Sequence, residues 1–116
     1  MQTLTVFEIT CAVSGKLLAG NEHTEVTSVT SDSRKVSVGA LFIPWKGERF
    51  DGHDFIDDAL SDGAAAALTE RELPQYRADK SYILVSDMKK ALKALAGYYR
   101  SRFTLPFVQV TSVPFG

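Results

Sequence analysis

Along the chain, short apolar runs alternate with stripes at helical spacing. In TVFEITCAVSG, Val6, Ile9 and Val13 recur at the spacing of a helix, with Thr5 placed to cap it and Gly15 to stop it. KLLAG reads as a short strand that ends in the turn GNEHTE. EVTSVTS sets Val26 and Val29 among small polar residues, a strand that runs out into Asp32. ALFIPW is continuously apolar, the pattern of a strand covered on both faces. Pro44 has no N–H for a ladder, so it belongs at that strand's end or on an edge.

DGHDFIDDALSDGA predicts a helix, with Asp51 as its cap and Asp54 at the third position. Phe55, Ile56, Ala59 and Leu60 form its apolar face, and Gly63 follows its last turn. AAAALT predicts a strand, although alanine alone equally permits a helix. ELPQYRADKS is a surface connection into the strand YILVS. DMKKALKALAGYYRSRF is the longest helix, striped by Met88, Ala91, Leu92, Leu95 and Tyr99, with Tyr98 and Tyr99 as packing residues. Asp87 stands near its positive end and Arg100 and Arg102 near its negative end, as the helix dipole favours. LPFVQVTS closes as a further apolar strand. Strands and helices alternate, which predicts one small α/β domain with helices packed on a mixed or mostly parallel sheet.

Composition narrows the function classes. The 116 residues suit one domain, and a 45% hydrophobic content supports a modest core. Thirteen basic against fourteen acidic side chains give a net charge of −1, which lacks the basic surplus of a nucleic-acid binder. No apolar run approaches the ~20 residues that span a bilayer, and the first residues lack a signal-peptide pattern. Cys11, the single cysteine, has no internal disulfide partner, which predicts a reducing, cytoplasmic setting. It falls within the first helix and is expected to be a small buried group. His23 and His53 are the two histidines, and no ligand set at metal spacing surrounds either.

Two polar clusters flank the apolar strand ALFIPW. In SDSRK, residues 31–35, Asp and Ser are turn formers whose side chains bond nearby backbone. Ser33 also offers a hydroxyl, and Arg34 a rigid fork suited to phosphate, carbonyl or carboxylate, directly after a strand. In KGERFDGH, residues 46–53, Gly47 and Gly52 permit close backbone approach, Lys46 and Arg49 supply cations, and Phe50 supplies an aromatic face. Glu48 and Asp51 nearly cancel those cations, and His53 reads as a polar residue at a helix start. Trp45 borders the loop as a core lid or a stacking platform.

Taken together, VTSVTSDSRKVSVGALFIPWKGERFDGHDFIDDALSDGAAAALTE resembles the N-terminal domain of the Mur ligases. The family pattern is a strand, then D-S-R, a glycine before L-F, K-G-E-x-x-D-G-H-x-F-I, and a helix ending in G-A. Asp32, Ser33, Arg34, Gly39, Leu41, Phe42, Lys46, Gly47, Glu48, Asp51, Gly52, His53, Phe55, Ile56, Gly63 and Ala64 stand in register with it. The opening GKLL and the run KGERFDGHDF favour the MurF branch, which joins D-alanyl-D-alanine to a UDP-N-acetylmuramoyl-tripeptide. The MurE branch, which acts on the dipeptide, shares D-S-R and D-G-H and is the alternative.

The resemblance implies a cytoplasmic enzyme of bacterial peptidoglycan-precursor synthesis. Residues 1–116 would form its UDP-muramoyl-peptide-binding N-terminal domain, with a central ATPase domain and a C-terminal ligase domain in cis. It implies substrate-binding roles for Ser33, Arg34, Lys46, Gly47, Glu48, Arg49, Phe50, Asp51, Gly52 and His53. After FVQVT the family continues into a G-x-x-G-K-T phosphate loop, where this sequence reads TSVPFG. ATP and Mg²⁺ are therefore expected only in a full-length ligase, with no catalytic residue, metal or cofactor in this chain. A stand-alone, non-catalytic interaction module of the same fold is the remaining alternative.

Overall fold

A computed structural model describes residues 3–45 and 52–102. In chain order its elements are β1 (Leu4–Thr5), α1 (Val6–Ala12), β2 (Lys16–Ala19), β3 (Glu25–Val26), β4 (Ser28–Thr30) and β5 (Ala40–Phe42). A 3₁₀ turn (Gly52–Phe55), α2 (Ile56–Ser61), β6 (Ala66–Thr69), β7 (Ser81–Leu84) and α3 (Met88–Arg102) complete them. Five strands form one sheet in the order β2-β7-β6-β5-β4. β4 to β7 run parallel, and β2 joins the β7 edge antiparallel. This is the mixed, mostly parallel α/β architecture that the alternation predicts.

Both faces of the sheet are covered. On one, Leu41, Ile43, Leu68, Ile83 and Val85 meet Val6, Ile9 and Val13 from the first helix and Met88, Ala91 and Leu95 from α3. On the other, Phe42, Ala67 and Tyr82 meet Ile56, Ala59 and Leu60 of α2. The register explains the alanines of β6. Ala67 lies between Phe42 on β5 and Tyr82 on β7, so a small side chain separates two large rings on one face. Pro44 sits just past the end of β5 and is buried. The 70–80 connection is strapped down by the Arg77 fork on Asp57, at 2.7 and 3.0 Å. Among the described residues no helix is long and apolar enough to cross a membrane.

Helix ends follow local chemistry, with several departures from expectation. Thr5 caps α1 as expected, and Glu8 completes a reciprocal capping box. At the other end, Ser14 N–H reaches the Cys11 carbonyl and Gly15 N–H the Thr10 carbonyl, so Ser14, at φ 54°, takes the left-handed position expected of Gly15. Gly15 serves close packing instead: a Cβ there would meet the Leu84 carbonyl oxygen at 2.7 Å. Cys11 is exposed, not buried. At about 100° per residue it stands roughly 200° round the helix from Ile9, away from the core.

EVTSVTS is not one strand: Val26 belongs to β3, which pairs with β1, and Val29 belongs to β4 in the main sheet. The break falls at Thr27, whose N–H bonds the Gly39 carbonyl at 3.0 Å. α2 begins at Ile56, and its N-cap, Phe55, makes no side-chain cap bond; Asp51 lies outside the described residues, as does LPFVQVTS.

α2 closes with the same paired bonds, Gly63 N–H to the Leu60 carbonyl and Ala64 N–H to the Ala59 carbonyl. Gly63 stands at φ +125°, where an L side chain is strained. Its carbonyl then accepts the Gly39 N–H at 2.9 Å, tying the helix end to the strand β5. Gly63→Ala is expected to lower the unfolding free energy by about 1–3 kcal/mol in urea titrations at unchanged slope. An unaltered midpoint would show that this turn is not held in the conformation described.

Candidate functional site

The parallel strands all end on one rim of the sheet, where α/β folds expose ligand sites. After β4 the chain folds back through 31–35, a turn organised by Asp32. Its N–H donates to Thr30 Oγ1 at 3.1 Å, and its Oδ1 accepts the Arg34 N–H at 2.9 Å. Lys35 N–H closes on the Asp32 carbonyl at 3.0 Å. The Arg34 guanidinium returns onto the same carboxylate, Nε to Oδ1 at 3.1 Å and Nη2 to Oδ2 at 3.3 Å. Arg34 thus combines both readings of SDSRK. Part of its fork is spent on the turn, while the side chain is 87% exposed and keeps its other donors for a ligand.

The Arg34 side-chain bonds are the main cause that holds the Asp32 carboxyl below its ordinary value of 3.8, with the Arg34 backbone N–H second. The same pairing raises Arg34.

This turn forms one rim of a cleft of about 560 Å³. Ser31, Asp32, Ser33 and Arg34 make the polar wall. Phe42, Trp45 and Phe55 make the aromatic one. Phe42 is otherwise buried in the core and serves as floor, whereas Trp45 and Phe55 are both more than one-third exposed. The arrangement can stack a planar ring on an aromatic wall while hydroxyls, backbone amides and a guanidinium address its polar edge and an attached anion.

Of the residues expected at the site, Ser33 and Arg34 line this cleft. Lys46, Gly47, Glu48, Arg49, Phe50 and Asp51 lie outside the described residues. Gly52 and His53 begin the 3₁₀ turn, and the side chain of His53 is likewise outside what is described. The chain positions that bracket this stretch, Trp45 and Phe55, both line the cleft. Phe55 was expected on the apolar face of the helix. It falls instead in the 3₁₀ turn, whose tighter period of about three residues carries it off the stripe of α2. Ser31, Asp32, Phe42 and Phe55 line the cleft without being among the residues expected at the site. The signal that finds them is position, since each stands at or after the end of β5 or β4, or before the helix that follows. His23 sits in an exposed turn. Among the described residues, no group of three or more His, Cys, Asp or Glu could hold a metal ion.

Since Asp32 is depressed on folding, the stability it contributes is present above its unfolded value and is lost as pH falls through the lower folded value. Carboxyl NMR titration is expected to find Asp32 below 3.8 in the wild type and to find it shifted upward in Arg34→Gln. Equal titration of both proteins would remove the ion pair as the organiser of this turn.

Comparison with known proteins supplies the remaining observation. A family model described as "Mur ligase family, catalytic domain" matches residues 25–100. The chain is 41% identical over 90 residues to the UDP-N-acetylmuramoyl-tripeptide--D-alanyl-D-alanine ligase of Bacillus subtilis, covering 78% of this chain and 20% of that protein. It is 37% identical over 111 residues to the enzyme of that name in Escherichia coli, covering 96% and 24%. A crystal structure of MurF from Acinetobacter baumannii superposes with a TM-score of 0.78 at 28% identity, over 90% of this chain and 22% of that one. Ligases that add 2,6-diaminopimelate match over a shorter stretch, 78 residues for that of Bacillus licheniformis. The chain spans about a fifth to a quarter of the length of the first two relatives.

Proposed function

The chain belongs to the Mur ligase family, and from that premise we propose that its cleft receives the UDP end of a UDP-N-acetylmuramoyl-peptide. The observation that carries this reading is the cleft itself, at the carboxyl rim of β4 and β5, with aromatic side chains on one wall and the Ser31–Arg34 turn on the other. Uracil needs a flat apolar surface and in-plane donors and acceptors, which Trp45, Phe55 and the turn supply. The diphosphate needs a cation, which Arg34 supplies in a fork already oriented by Asp32. Lys46, Gly47, Glu48, Arg49, Phe50, Asp51, Gly52 and His53 complete the binding wall in this proposal.

Residues 1–116 then act as the substrate-recruiting N-terminal domain of a MurF-type ligase in the cytoplasm. The 116 residues contain no G-x-x-G-K-[ST] run, so ATP and Mg²⁺ are assigned to the central and C-terminal domains in cis and to no residue here. The matches to the tripeptide ligases run over 90 to 111 residues, against 78 to 85 for the diaminopimelate ligases, which favours MurF over MurE.

Trp45 is the one tryptophan of the sequence and lines the cleft, so it reports occupancy directly. Titration with UDP-N-acetylmuramoyl-tripeptide is expected to change its fluorescence saturably. Arg34→Ala is expected to weaken binding by about tenfold or more, the worth of a hydrogen bond to a charged group. A flat titration to millimolar ligand, with no heat by calorimetry, would sink the reading.

A further inference from the structure

The two outer strands of the five-stranded sheet are protected unequally. β2, at one edge, carries the exposed Lys16 and a register irregularity between Leu17 and Ala19, both of which discourage pairing with another chain. β4, at the other edge, has neither: from Val26 to Ser31 the sequence VTSVTS contains no charge and no proline. The Thr30 carbonyl accepts the Ile43 N–H at 2.8 Å, so Thr30 faces β5. Backbone groups alternate in direction along a strand, which turns the Val29 N–H and carbonyl to the open edge.

The cover over β4 is incomplete as well. Leu41, the neighbour of Val29 in register on β5, is fully buried in the cluster with α1 and α3, whereas Val29 is 40% exposed. Beside it lies a cavity of about 210 Å³ lined by Leu4, Val29, Leu92, Leu95, Ala96 and Tyr99, with no charged side chain among them. A mostly parallel sheet needs both faces covered, and here the α3 side of the outermost strand stays open.

The residues around Val29 are self-complementary. Antiparallel pairing about a two-fold axis at Val29 sets this residue against its own copy, Ser28 against Thr30, and Thr27 against Ser31. A central β-branched pair flanked by hydroxyl pairs makes favourable cross-strand neighbours. The outward N–H and carbonyl of each Val29 then bond those of the other. Charge favours the same direction. Exposed Glu22 and Glu25 precede β4, and exposed Arg34 and Lys35 follow it, with Asp32 offsetting Arg34 alone. Antiparallel pairing brings the acidic end of one copy to the basic end of the other, whereas parallel pairing aligns like charges.

We propose that β4 pairs antiparallel with β4 of a second copy of this chain, so that the groove between β4 and α3 is closed by the partner. The contact is the same patch on both copies, so it stops at a dimer. It rests on no property of the nucleotide cleft, whose floor, Phe42, lies on the opposite face of the sheet.

Sedimentation velocity over a concentration series tests this with the 116-residue chain as wild type, Val29→Lys and Ala96→Glu, each checked for a native amide spectrum. Lysine on an edge strand blocks pairing. Ala96 is an exposed helix position where glutamate preserves helix propensity, so this variant keeps its fold even if the first does not. Wild type is expected to pass from monomer to dimer below about 1 mM, with Val29→Lys weakening the association by about tenfold or more and Ala96→Glu weakening it in the same direction. A wild type monomeric throughout, or a dimer undiminished in the folded variants, would overturn the pairing. If that monomer's Val29 and Ala96 amide resonances move when residues 103–116 are deleted, the groove belongs to the chain's own C-terminal segment instead.

Discussion

A parallel sheet has to be covered on both faces, and the rest of this structure depends on that constraint. β5 and the residue that follows it show it most directly: Leu41 and Ile43 pack in the cluster with α1 and α3, while Phe42 between them packs with α2. Because β4 to β7 run in one direction, every one of their carboxyl ends reaches the same rim. Loops leaving that rim are freed from core packing and are gathered within reach of one another. Binding chemistry is thereby concentrated at one edge of a domain whose core is otherwise apolar.

The rim is made rigid by short-range bonds. Thr30, Asp32 and Arg34 hold the 31–35 turn through backbone and side-chain contacts. Glu70 reaches from the end of β6 to the first amide of α3. Gly63, Gly39 and Thr27 link the end of α2 to the start of β5 and on to the segment before β4. A site on such supports needs little reordering when a ligand arrives, which lowers the entropic cost of binding.

Much of the fold is legible in the residues because periodicity reports burial. Val6 and Ile9, the stripe Met88–Ala91–Leu95, and the run from Ala40 to Ile43 each end up buried as their spacing predicts, whereas Trp45 at the end of ALFIPW is exposed. What periodicity misreads is set by tertiary neighbours. Thr27 breaks an apparent single strand because its N–H is claimed by Gly39 from another loop. Cys11 looks like a core residue by type, but its angle on α1 turns it outward. The site is legible in part. The D-S-R motif marks the polar wall, and the family resemblance rests on it. The aromatic wall is marked only by Trp45, since Phe42 and Phe55 look like core residues until the topology sets them at the rim. The pairing of Arg34 with Asp32 two residues away is likewise a matter of turn geometry that composition does not encode.

Backbone amide shifts on titration with UDP locate a nucleotide most directly. Saturable shifts are expected at residues 31–34, at Phe55 and at the Trp45 indole N–H, with the amides of Val6–Ala12 on α1 unmoved. Shifts confined to α1, or none at any residue of the carboxyl rim, would contradict a nucleotide cleft there.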